Sequence, residues 1–361
     1  MPLAAYPDAS AKPGAPRYFV APADTTADRA AIIALWSEGL NQNGTRMAEA
    51  KFDWYYLHNA EGAPEVTFLR HPAETGPVGV ATLAPRRMRL DGQALVAGGL
   101  FDFVVSAGHR SLFPALFLQR MLRQRGVESR ALVFGLPNPR SIGVVRRAGY
   151  TLLGVKERRV RVLRSAAYLA RYLPPVLARI AGAVIDRARF AAAALRAASR
   201  PGFAGAWVAR PDARFDALWE RSALEGVLMG VRDARFLAWR FNDCPFYAHE
   251  FFTLADPGSG RLLAYAACRP QERALLVSDF LVDRSVPGVA ARLWTELARA
   301  AHGRGHASLV VQFGGATAVQ DELDAAGLVT REKIEIYASA PAYPGLDRGE
   351  RWYLTSADED G

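Results

Sequence analysis

The chain has 361 residues, half of them apolar and 22% charged, a composition that fits a globular protein long enough for two hydrophobic cores. No run approaches 18 apolar residues, the start lacks the basic head and apolar stretch of a secretory signal, and two cysteines (Cys244 and Cys268) are too few for a disulfide framework; a membrane span is not expected and the reducing cytoplasm is the expected compartment. The formal charge of +9 would suit an anionic partner, but a total does not locate a patch, and the reading taken is arginines spread over solvated faces.

Residues 1–17 read as a loose tail rich in Pro, Ala and Ser. A helix is predicted over 25–42, capped by Thr25-Thr26, with Ile32, Ile33, Leu35, Trp36 and Leu40 as its apolar stripe. Strands follow at 66–69, 78–82 and 95–105, then a helix from Leu112 to Arg125 and a strand at 129–134. The loop Gly135-Leu136-Pro137-Asn138-Pro139 leads to a short helix over 140–148, stopped by Gly149, and a strand over 150–162. The segment 163–206 is rich in Ala, Leu and Arg, with Val176, Ile180 and Val184 at helical spacing among Arg179, Arg187, Arg189, Arg196 and Arg200. It reads either as a connector helix packed between domains or as a basic amphipathic helix on a membrane surface. Beyond it, helices are expected at 214–225, 287–302 and 317–326, and strands at 251–254, 262–266, 275–282 and 307–313.

The second series repeats the first. Leu100-Phe101-Asp102-Phe103-Val104-Val105 matches Ser278-Asp279-Phe280-Leu281-Val282, with the aspartates 177 positions apart. Ala148-Gly149-Tyr150 matches Ala326-Gly327-Leu328, with the glycines 178 apart, and Phe52-Asp53-Trp54-Tyr55-Tyr56 echoes the stretch around Trp239. Three matches in one order argue for a duplicated mixed α/β unit.

Chemistry concentrates where the strand ending Val104-Val105 turns through Ser106 to Ser111 into the helix of Leu112, Phe113, Pro114 and Ala115. The first amides of a helix have no internal partner and can cradle an anion such as a pyrophosphate, and Arg110 adds a fixed positive charge. The same residues would serve as a plain strand-to-helix turn.

This stretch resembles the GNAT N-acetyltransferase superfamily, whose signature after the fourth strand is Gln or Arg, two residues, Gly, one residue, then Gly or Ala. Arg110 and Ala115 match its ends, and Phe113 stands in place of the glycine. Asn138, Ser141 and Gly149-Tyr150 look like the family's later Asn–helix–Gly-Tyr run. The resemblance implies two tandem GNAT-like domains in the mixed α/β (α+β) class, each a mixed twisted sheet flanked by helices, over 18–162 and 207–340, with a C-terminal strand and acidic tail over 341–361. It implies acetyl-CoA as donor, held by Val104, Val105, Arg110, Ser111, Leu112, Phe113, Pro114, Ala115, Asn138 and Ser141, with no metal. In the second unit Ser285 replaces the basic residue and Gly314-Gly315 replaces the Asn, which implies weakened donor binding there. The end, Arg351 to Asp360, resembles those of tandem-GNAT proteins with bacterial exopolysaccharide functions, so the implied reaction is acyl transfer to an amine, such as an amino sugar. The other readings are a non-catalytic scaffold and an aminoacyl-tRNA-dependent transferase of related architecture; DNA is not expected as a partner.

Asp102, inside an apolar strand, is the candidate general base, although Asp279 at the equivalent place also suggests a structural role. Tyr55 and Tyr56 are candidates for the acceptor cleft, or for the core.

Overall fold

The computed structural model describes residues 18–39, 45–198 and 202–359, so the tail over 1–17, Leu40 and Arg200 lie outside the described residues. Among the described residues, fourteen strands share one sheet. In chain order the first half supplies β1 (Phe19–Pro22), β2 (Glu65–Arg70), β3 (Pro77–Leu90), β4 (Gln93–Val105), β5 (Leu132–Gly135) and β6 (Thr151–Val162). The second supplies β7 (Ala204–Val208), β8 (Leu228–Gly230), β9 (Glu250–Ala255), β10 (Leu262–Gln271), β11 (Ala274–Val282), β12 (Ser308–Gly315), β13 (Val329–Ser339) and β14 (Trp352–Leu354). The helices are α1 (Arg29–Gly39), α2 (Thr45–Lys51), α3 (Leu112–Ser129), α4 (Ile142–Arg147), α5 (Ala166–Leu169), α6 (Pro175–Ala198), α7 (Ala213–Arg221), α8 (Ala234–Leu237), α9 (Val289–Gly303) and α10 (Thr317–Ala325).

Across the sheet the order is β1-β2-β3-β4-β5-β13-β6-β12-β11-β10-β9-β7. Read outward from its middle, each side repeats the other, so the sequence repeat is a structural one. The two last strands are exchanged. β13, from the second half, pairs antiparallel with β5, and β6, from the first, pairs antiparallel with β12, while β6 and β13 pair with each other. Each half therefore completes its hydrogen-bond ladder with a strand of the other. A strand left at an edge exposes a row of unpaired amides and carbonyls, and the exchange removes that exposure at the middle of the molecule.

Local chemistry accounts for the elements. Asp91-Gly92, both at positive φ, makes the two-residue turn between β3 and β4, and this lets β3 run from Pro77 to Leu90, well beyond the strand expected over 78–82. The turn leading into α1 is capped by Asp24, whose carboxylate accepts from the amides of Thr26 and Ala27; of the expected cap Thr25-Thr26, Thr26 supplies a donor instead. After α2 the chain widens into a π-helical turn, Phe52–Leu57, and α8 does the same over Ala238–Asn242. These echoing turns meet at the pseudo-symmetry axis. Trp54 stacks on Trp239 at 5.3 Å, and each indole N–H donates to the other's carbonyl, at 3.0 and 3.3 Å. The largest core cluster runs continuously through both halves.

Candidate functional site

The parallel ladder between β4 and β5 is short. It joins Ala97, Gly98 and Gly99 to Leu132, Val133 and Phe134 and then stops. Beyond it the strands part and enclose a cavity of about 270 Å³. One wall is Leu100 to Phe103; the other is Gly135 to Asn138. Gln119, Ser141 and Tyr337 close the sides, and Glu359 enters from the end of the chain.

A β-bulge drives the parting. Asp102 and Phe103 of β4 oppose the single residue Ala81 of β3, and Asp102 adopts a φ of 50°. Left-handed backbone costs a residue with a side chain about 1–2 kcal/mol, so something must hold it. Lys51 Nζ lies 2.7 Å from Oδ1 of Asp102, and the Tyr56 hydroxyl donates to Oδ2 at 2.6 Å. All three groups are buried. Burial first, then the Asp102 charge, pushes the Tyr56 phenol well above its ordinary range, so it stays a donor. Asp279 repeats this scheme with Arg232 at 3.0 Å and the Tyr265 hydroxyl at 2.5 Å. Asp102 thus lines the cavity with both carboxylate oxygens committed. Tyr56 does not line it: its hydroxyl is spent on Asp102 and Thr82, and the ring lies in the core, the other place the sequence allowed it. Tyr55 borders a second, narrow space with Trp239, Phe101 and Glu359.

The residues expected around the donor group separate into two sets. Asn138 and Ser141 line the cavity. The Asn138 side-chain oxygen accepts from the amides of Arg140 and Ser141 and from the Ser141 hydroxyl at 3.0–3.1 Å, fixing the loop into α4. The others form the adjoining turn. Val104 and Val105 point into the two cores beside it. Arg110, Ser111, Leu112 and Phe113 are exposed, and Pro114 and Ala115 are buried. The Arg110 Nε–H donates to the Val105 carbonyl at 3.2 Å, which tethers the guanidinium at the mouth of the turn. Phe113 lies near Tyr18 and Phe117, outside the cavity lining.

The second half shows what happens when this wedge closes. β11 and β12 also pair only briefly, from Ala274 to Val277, but β14 then lies against Gly314 and Gly315 of β12. The Tyr353 ring packs between Phe280 and Phe313, and its hydroxyl donates to the Phe280 carbonyl at 2.6 Å. In the repeat register Phe280 corresponds to Phe103, and Gly314 to Asn138, which line the cavity of the first half. Gly315, at φ 136°, is required: an added Cβ would overlap the Trp352 carbonyl oxygen.

The acidic end is packed as far as Glu359, the last described residue. Asp358 is buried between Arg232 at 2.7 Å and Arg86 at 2.9 Å, and Thr355 caps the closing turn by accepting from the Ala357 amide. Burial raises the Asp358 pKa and the two guanidiniums more than reverse it, so the carboxyl titrates below its ordinary range. That anchoring delivers Glu359 to the cavity, where it pairs with the buried Lys156. Glu359 and Tyr337 escaped the sequence reading. The Thr355-x-x-Asp358 spacing after an apolar Trp-Tyr-Leu was the available signal for an ordered end. Tyr337 sits on β13, whose first half, Thr-Arg-Glu-Lys, is too polar to read as a strand. Burial and then the Glu335 carboxylate push the Tyr337 phenol up to about 12.

No family model matches the chain, and no curated protein does. Solved structures do. A GCN5-related N-acetyltransferase from Anabaena variabilis superposes with a TM-score of 0.63 at 11% identity, over 90% of this chain and 73% of that one. A tandem GNAT protein from the clavulanic acid biosynthesis pathway gives 0.51 at 12%, over 91% and 99%. Saccharomyces cerevisiae N-myristoyltransferase with bound myristoyl-CoA gives 0.53 at 11%, over 99% and 88%. The fold is therefore that of the GNAT superfamily, present twice in tandem. At these identities the likeness speaks for the fold alone.

Proposed function

We propose that the protein is an N-acyltransferase whose first half, residues 18–162 completed by β13, takes the acyl group from acyl-CoA and transfers it to an amine. The observation that carries the reading is the asymmetry of the two wedges: one encloses a cavity, and its counterpart is filled by Tyr353. The residues fit the donor by two criteria. Between Leu100 and Phe103, β4 has no strand partner on its β5 side among the described residues, so polar backbone is available to an extended amide-bearing arm. The turn from Ser106 into α3 presents first-turn amides and Arg110 to an anion. The donor supplies an activated carbonyl; the chain positions it and moves protons.

Two carboxylates line the cavity, Asp102 and Glu359. With both oxygens of Asp102 engaged by Lys51 and Tyr56, we assign it to holding the bulge, and we assign Glu359, which meets Lys156 through one oxygen, to accepting the proton of the attacking amine through the other. Tyr337, whose hydroxyl donates to Glu335 at 2.6 Å, is the group we assign to returning a proton to the departing thiolate. Tyr55 and Trp239, both buried, border the narrow space beside Glu359. An amino sugar of a surface polysaccharide is the acceptor this reading takes first, and acetyl the first acyl group.

The test is thiol release from acetyl-CoA with a panel of amines that includes amino sugars. Acyl transfer to at least one amine, slowed about 100-fold or more in Glu359→Gln with little change in donor affinity, is expected. Donor binding without turnover on any amine would leave a binding protein in its place.

A further inference from the structure

α6 has two opposed faces. Ala178, Gly182 and Asp186, four residues apart, face the protein and are buried. Gly182 lies so close to α5 that a Cβ there would stand 2.5 Å from the Ala166 amide nitrogen, and the Asp186 carboxylate accepts from the Ser165 amide and hydroxyl. Val176, Ile180 and Val184 are also four apart but offset by two from that row. Two residues turn an α-helix by about 200°, so this second row points directly away from the protein. It is apolar and exposed: Val176 68%, Ile180 60%, Val184 62%, joined by Leu177 at 54% and by Tyr172 and Leu173 just before the helix.

A soluble face opposite a docking face should be polar. Here it is an aliphatic ridge flanked by Arg179 and Arg187, both exposed. Asp186 is the one acidic residue between 166 and 198, and it is buried. The side chains of Arg189 and Arg196 lie outside the described residues. No described helix is long and apolar enough to cross a membrane. The combination is that of a helix lying in an interface plane, with aliphatic side chains immersed and arginines among the headgroups.

We propose that α6 and the preceding Tyr172-Leu173 dock the protein onto an anionic lipid bilayer surface. The charge selects this occupant over a second copy of the chain, because two such faces would bring arginines against arginines with no exposed acid to meet them. The inference stands apart from the acyl-transfer reading, and its test involves no turnover.

Full-length protein is co-sedimented with vesicles of phosphatidylglycerol mixed with phosphatidylcholine, and with phosphatidylcholine alone. Binding to the anionic vesicles is expected, weakened by salt and by the neutral lipid. Ile180→Asp/Val184→Asp should lower it at least about tenfold while the melting temperature stays that of the parent, since both residues are already exposed. Arg179→Glu/Arg187→Glu should lower it as well. Failure to bind anionic vesicles overturns the proposal, as does binding that the aspartate pair leaves intact. So does a concentration-dependent dimer that Ile180→Asp/Val184→Asp dissolves, which would assign the ridge to a second copy.

Discussion

A single glycine decides whether the second wedge can close. Gly315 lets β14 cross β12 at a point where any side chain would strike the Trp352 carbonyl. Gly315→Ala should therefore lower stability by about 2–4 kcal/mol, read as a fall in melting temperature, whereas Gly76→Ala, in open space, should change it by less than about 0.5 kcal/mol. The pair Gly314-Gly315 was visible in the sequence as a departure from the first half, but its reason was not: the obstructing carbonyl comes from a segment 37 residues later. Asp358 sets an acid limit. Its pKa is lower in the folded protein than the ordinary 3.8, so its contribution is full above that value and is lost as pH falls through the folded value. Thermal melts from about pH 6 down to about pH 2 should show Asp358→Asn less stable near neutrality by about 3 kcal/mol or more, because Arg232 and Arg86 lose a buried partner, and less sensitive to acid than the parent.

At the level of elements, the exchanged strands bind the halves into one folding unit. A fragment ending at Arg164 lacks β12 and β13, which leaves β5 without one of its neighbours and β6 without either. It should fail to give a dispersed amide spectrum, while the full chain unfolds in one cooperative transition by both circular dichroism and tryptophan fluorescence; a fragment that folds alone would contradict this. The helices and strands with clean apolar periodicity, such as α1, α3, β11 and α9, could be read from the sequence. β13 could not, because its first residues face solvent and only Ile334, Ile336 and Ala338 carry the pattern. β8 and β14 are three residues each, too short for any period to register, and owe their conformation to partners distant in the chain. The Arg110 turn was legible because it is local. The cavity beside it was not, since Tyr337 and Glu359 reach it from the other half.

For the molecule as a whole, duplication has produced one open wedge and one sealed by the chain's own end, and the sealing segment carries Glu359 on to the open one. The central claim is that the first wedge alone receives the donor. Calorimetric titration of acetyl-CoA into the full chain, into Arg110→Glu and into Leu136→Trp tests it most directly. The account predicts one site per chain, weakened about tenfold or more when Arg110 is reversed and abolished when a tryptophan fills the wedge, with melting temperatures close to the parent's. Binding that survives both substitutions, or two sites per chain, would contradict it.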